Sequence, residues 1–226
     1  MLKPLYFLLI SILGYSQSGK ITYTIKIDEN FYKNTKEKDA ISNYINLANK
    51  NEFELKFNKT ESSFKFTQSL NNDIDTDIQA VVRLGFTSSK DVFVDKNKKQ
   101  EISKELDGTL ILENLEHNVW EITEISKKID NYLCYKATQR FDYTNRKNEK
   151  KFYIIEAWFA PTLPYSFGPK TYYNLPGLIL ELKEQKTTYY ATKIELLSED
   201  LKIEIPNGKT ILRSEYDNKI KKQFGM

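Results

Sequence analysis

The sequence predicts a mainly β fold: one β-rich α+β domain with a curved antiparallel sheet or incomplete barrel and one or two short helices. Apolar and polar residues alternate with period two in segment after segment along the chain, which is the signature of half-buried strands. Helical spacing appears only in short runs, and no repeat, low-complexity tract or linker divides the chain.

The first strand is "KITYTIKI", Lys20 to Ile27, with Ile21, Tyr23, Ile25 and Ile27 on one face and Thr22, Thr24 and Lys26 on the other. "KDAISNYINLANK" then spaces Ile41, Tyr44, Ile45 and Ala48 at helical intervals, predicting a short amphipathic helix. Phe53, Leu55 and Phe57, then Phe64 and Phe66, resume the period of two across the polar "NKTE" and read as a hairpin. Residues 68–80 are polar and acidic and read as a solvated loop. Asp73, Asp75 and Asp77 alternate there, but a calcium loop opening at Asp73 needs Gly sixth and Glu twelfth, where Ile78 and Leu84 stand.

From Asp91 the β character is nearly continuous through "DVFVD", "TLILEN" and "NVWEITEI". "YLCYKATQRF" and "FYIIEAWFA" flank the charged run Thr144 to Lys151 and predict a long hairpin with a solvated tip that carries Arg146, Lys147, Lys150 and Lys151. "FYIIEAWF" is apolar at both parities, so it reads as covered on both sides. "LILELKE" and "YYATKIELL" form another antiparallel pair, and Tyr216, Ile220 and Phe224 predict a closing helix. Such a sheet is compatible with a packed core or with a cavity.

The N-terminus sets the compartment. Lys3, the apolar run Leu5 to Leu13 and the small residues Gly14 and Ser16 have the order of a secretory signal peptide. The run is too short for a membrane span, which needs about 20 apolar residues. The expectation is a signal at 1–16, cleavage near Ser16-Gln17, and a single domain at 17–226, exported to the periplasm or beyond and peripheral to membranes at most. Cys134 is the sole cysteine, so no internal disulfide forms and the thiol reads as a small buried hydrophobe. The formal charge of +3 comes from interspersed cations and acids, not from a basic stripe, which argues against a nucleic-acid partner.

One segment departs from ordinary patterning. "WFAPTLPYSFGPKTYYNLPGLILEL", Trp158 to Leu182, places Pro176-Gly177 inside an apolar run; Leu175 to Leu178 has the composition of a type II turn. Gly168-Pro169 is a second breaker. The loop between the flanking strands is long for a connection and carries Leu163, Tyr165, Phe167, Tyr172, Tyr173 and Leu175, too much apolar surface to leave in water.

"NLPGLIL" with its flanks, Trp120 and Ile122 before "ISKKIDNYLCYKA" and then "AWFAPTLPYSFGP", resembles the GLPGLI family of exported Bacteroidetes proteins. The resemblance is good over about 120–194 and loose before that. Asn174 stands where the family's first glycine usually does. Asn tolerates left-handed φ, so backbone shape survives the exchange if shape was the reason for glycine. The resemblance implies export, one β-rich domain and no catalytic residues to carry over.

The function expected is a non-catalytic binding or assembly module of the cell envelope. Its site would be the apolar loop, comprising Trp158, Gly168, Pro169, Tyr172, Asn174, Leu175, Pro176, Gly177, Leu178 and Ile179, and its partner a lipophilic small molecule or an envelope protein. The competing reading of those residues is ordinary core, with the turn folded inward. No cofactor is expected, since one His (His117) and one Cys make no usual zinc site, and neither a nucleophile elbow nor a phosphate loop is present. The alternative is a hydrolase that uses Glu156 with Glu181 and Asp142; Glu156 would face solvent or pair with Lys136 or Lys183 if it is not catalytic.

Overall fold

A computed structural model describes residues 18–32, 38–69, 76–115, 118–145 and 147–224. The expected signal segment with its expected cleavage point, Asp73, Asp75, His117 and Arg146 lie outside them. Strands β1 (Ser18–Ile27), β2 (Asn51–Phe57), β3 (Glu61–Ser69), β4 (Asp91–Asp95), β5 (Gln100–Lys104) and β6 (Leu110–Asn114) are followed by β7 (Glu121–Ile129), β8 (Tyr132–Thr144), β9 (Lys150–Ala160), β10 (Leu178–Glu184), β11 (Thr187–Leu197) and β12 (Thr210–Leu212). Helices α1 (Lys38–Ala48), α2 (Thr76–Phe86) and α3 (Arg213–Phe224) complete the fold with a short 3-10 turn at Glu29–Tyr32.

All twelve strands join one sheet in the order β12-β6-β5-β4-β3-β2-β1-β11-β10-β9-β8-β7, antiparallel except where β12 runs parallel to β6. β6 and β8 stand nine positions apart in that order, about 40 Å across a flat sheet at the usual strand spacing, yet both line one cleft. The sheet is therefore rolled, and it remains open because β7 and β12 do not pair with each other. That is the curved, β-rich class the sequence predicts.

Register places the core on the concave face. Ile21, Tyr23, Ile25 and Ile27 of β1 are all buried, and Phe53, Leu55 and Phe57 lie opposite Tyr23, Ile21 and Gly19. Phe64 stacks on Phe53 with ring centroids 5.3 Å apart, and Tyr189 meets both rings edge-on. Burial of this set in one contiguous cluster supplies the main driving force for folding.

Three expectations need correction. The polar segment 68–80 is a loop only in part, because α2 starts at Thr76. Its inward face is Val82 and Phe86 with the polar Gln79 and Arg83, while Ile78, Val81 and Leu84 face solvent, so its pattern is nearly the reverse of an amphipathic helix. β9 is covered on one side only: Ile155, Ala157 and Phe159 are buried, but Phe152 and Ile154 are exposed. Among the described residues there are three α-helices, where one or two were expected.

Candidate functional site

The long loop, residues 161–177, fills the space inside the rolled sheet. Leu163, Phe167, Leu175, Leu178 and Ile179 are each no more than 3 % exposed, and Tyr172 and Tyr173 are also buried. The backbone is tied at both ends of the insertion. Leu178 N–H donates to the Leu163 carbonyl at 3.0 Å, Ile179 N–H to the Phe167 carbonyl at 3.0 Å, and Asn174 N–H to the Ser166 carbonyl at 3.1 Å. The Trp120 indole donates to the Tyr173 carbonyl at 2.9 Å, and the Lys96 ammonium lies over the Phe167 ring.

The apolar turn itself is not type II. Leu178 N–H reaches Leu163, and Gly177 N–H donates to the Leu175 carbonyl at 2.8 Å, which is an inverse γ-turn centred on Pro176. A Cβ on Gly177 would lie 2.2 Å from the Ala160 carbonyl oxygen, so glycine serves close backbone approach here. Gly168 is packed in the same way against the Ile179 side chain. Asn174 adopts φ of 71°, the left-handed conformation its side chain tolerates.

Most residues expected to form a binding surface are thus interior: Gly168, Pro169, Tyr172, Leu175, Gly177, Leu178 and Ile179. Asn174 and Pro176 are exposed, and Trp158 sits half-exposed on the convex face with Lys127 4.2 Å above its ring. The physical reason is the amount of apolar surface the loop carries, which the rolled sheet has room to enclose. The carboxylates of the alternative reading are not assembled into a site. Glu156 pairs with Lys136 at 2.6 Å, Glu181 with Lys127 at 2.6 Å, and the exposed Asp142 with Arg140 at 2.8 Å. Cys134 is fully buried, and burial pushes its thiol up to about 11.

What the loop leaves open is a polar cleft of about 450 Å³. On one side it is bounded by the inward face of β5–β6. In the register that buries Val92 and Val94 of β4, β5 presents Ser103 and Glu101, and β6 presents Ile111 and Glu113. The concave face therefore changes from apolar to polar at β5. On the other side stand Asn118, Thr171, Tyr173 and the exposed ring of Phe141. The Asn118 amide donates to the Thr171 carbonyl at 2.9 Å and accepts from the Gln139 amide at 3.3 Å, which fixes its orientation.

Arg213, the first residue of α3, organises the polar wall. Its guanidinium donates to Glu105 at 3.0 Å, Glu113 at 3.2 Å and Ser103 Oγ at 3.1 Å. Burial opposes its charge, but these carboxylates outweigh that and hold it above its ordinary value. Lys90 stands 3.8 Å from Glu101. A second buried network centres on Glu184, whose carboxylate accepts from the Tyr172 hydroxyl at 2.8 Å, the Tyr153 hydroxyl at 3.3 Å and the Lys170 ammonium.

Sequence reasoning missed the cleft. "QEISK" turns its one apolar residue, Ile102, away from the core and Glu101 and Ser103 inward. Its signal was two polar residues flanking one apolar residue beside the apolar "DVFVD". Among the described residues no cluster of His, Cys, Asp or Glu is placed to hold a metal ion, and no helix is long and apolar enough to cross a membrane.

A family model for a protein of unknown function, Porph_ging, matches residues 139–181, the outer part of β8, all of β9, the interior loop and the start of β10. No curated protein matches. Among solved structures, PNGF-II superposes with a TM-score of 0.55 at 14 % identity, over 92 % of this chain and 33 % of that one. The chain therefore spans about a third of that protein, and the likeness is one of fold. LprF from Mycobacterium bovis gives a TM-score of 0.28 at 9 % identity, over 84 % of this chain and 89 % of that one, too low to define a shared fold.

Proposed function

We propose that this chain is a non-catalytic binding module of the cell envelope, and that the polar cleft takes up a short saccharide. One observation carries the reading: the concave face turns polar where the two ends of the rolled sheet approach each other. Carboxylates, amides and hydroxyls converge there beside an exposed aromatic ring. A sugar offers hydroxyls to such groups along its edge and C–H bonds to a ring on its face. The Arg213 ion pairs keep Glu105 and Glu113 in place before ligand arrives, which reduces the ordering cost of binding.

In this reading the apolar loop is the scaffold. It holds Thr171 and Tyr173 at the cleft wall while its leucines fill the interior, a filling that disfavours the lipophilic ligand expected from its composition. The motif Leu175–Ile179 falls within the matched segment 139–181, which supports carrying the GLPGLI resemblance as part of the reading. Export rests on the N-terminal pattern Lys3 to Ser16.

The test is a titration of 15N-labelled protein with maltotriose, cellotriose and mannotriose. Saturable shifts at Asn118, Thr171 and Tyr173, weakened at least about tenfold by Asn118→Ala, are expected on the scale of one lost hydrogen-bonding group. Two results would overturn the reading. One is the absence of saturable shifts at the cleft with all three sugars. The other is an apolar adduct in native mass spectra of detergent-free protein that is lost on denaturation.

A further inference from the structure

The outer half of the β8–β9 hairpin stands apart from the rest of the molecule. β7 first pairs with β8 at Thr138, and β10 last pairs with β9 at Ile155. Beyond that line, Arg140 to Thr144 pair with Lys150 to Ile154, giving a two-stranded ribbon about 17 Å long. Both of its faces carry large exposed apolar side chains. Phe141 and Tyr143 pack against Tyr153 on one face, with ring centroids 5.0 and 5.8 Å away, and Phe152 and Ile154 occupy the other. Phe152 is 54 % exposed and Ile154 45 %, so folding leaves these groups in water.

The ribbon is also where the charge of the chain resides. Residues 139–155 contain the cations Arg140, Arg146, Lys147, Lys150 and Lys151 against Asp142 and Glu149, a net of +3, and the whole chain has a formal charge of +3. With Lys3 in the expected signal segment, the rest of the domain at 17–226 sums to −1. Among the described groups, Lys147 and Lys150 are exposed near the tip, and Lys151 shares Glu149 at 3.2 Å.

From the two-faced apolar ribbon and this localised charge we infer that the β8–β9 arm docks the protein onto an anionic lipid surface. The headgroup–acyl boundary of a bilayer surrounds a narrow ribbon on all sides, and it accepts aromatic rings at the level where lysines reach the phosphates. Basic side chains near an anionic surface add an electrostatic attraction that salt screens. The ribbon shares Phe141 with the cleft, whereas Phe152, Ile154, Lys150 and Lys151 take no part in the cleft walls, so variants at those four positions test the arm apart from the cleft.

The experiment is cosedimentation of the folded full domain with vesicles of equal parts phosphatidylglycerol and phosphatidylcholine, and with pure phosphatidylcholine. Binding to the anionic vesicles alone, weakened by salt, is expected. The pair Lys150→Glu and Lys151→Glu should lower the partition coefficient at least about tenfold. Phe152→Ser with Ile154→Ser should lower it while leaving the salt dependence in place. Both pairs alter exposed positions, and circular dichroism verifies that they fold. Absence of binding at low salt overturns the inference, as does wild-type partitioning by either pair. So does a dimer in solution that Phe152→Ser with Ile154→Ser dissociates without changing the partition.

Discussion

Glu184 shows how one buried side chain is held in its charged form. Burial alone would raise its carboxyl. The Lys170 ammonium and the hydroxyls of Tyr172 and Tyr153 outweigh burial and keep it below its ordinary value. A group with a depressed folded value contributes stability above the ordinary carboxylate range, and that contribution is lost as pH falls through the folded value. Removing the ammonium leaves burial as the leading influence, so the carboxyl should rise. Lys170→Met should therefore reverse the sign: the Glu184-dependent part of stability should increase on acidification from about pH 7 to about pH 4. Urea unfolding of the wild type and Lys170→Met, each compared with its Glu184→Gln counterpart, measures this. An unchanged acid slope in the variant would show that the ammonium does not hold the carboxylate.

The element that defines this fold is the loop with its γ-turn. Gly177 lies against the Ala160 backbone, where β9 ends, and a methyl there meets a carbonyl that cannot move without breaking the β9–β10 start. Gly177→Ala should cost about 2 kcal/mol or more, read as a lowered urea midpoint at unchanged m-value. Asn174→Gly is the control, since φ of 71° suits glycine as well as Asn. Elements with a one-sided apolar pattern were legible in the sequence: β1 and the β2–β3 hairpin stand where alternation places them. Where inside and outside exchange their usual residues, legibility failed. Glu101 and Ser103 point inward in β5, α2 turns leucine and valine to water, and the ribbon of β8–β9 keeps its rings exposed. Alternation reports only which residues share a face; which way that face points is set by the roll of the whole sheet.

At the scale of the molecule, one open sheet would leave its concave face in water if the chain did not return through it. The loop 161–177 makes that return, tied to β10 through the amides of Leu178 and Ile179 and to the opposite wall through Trp120 and Asn118. Stability and the shape of the cleft thus depend on the same insertion. The alternative is a loop that swings out to meet a ligand, which requires a local opening well below the global unfolding free energy. Native-state hydrogen exchange at the amides of Leu178 and Ile179 separates the two most directly. If the loop is the core of the molecule, both amides exchange only through global unfolding, with a free energy equal to that from urea denaturation. Exchange through a local opening several kcal/mol cheaper would contradict the account and return the loop to the surface as the binding element.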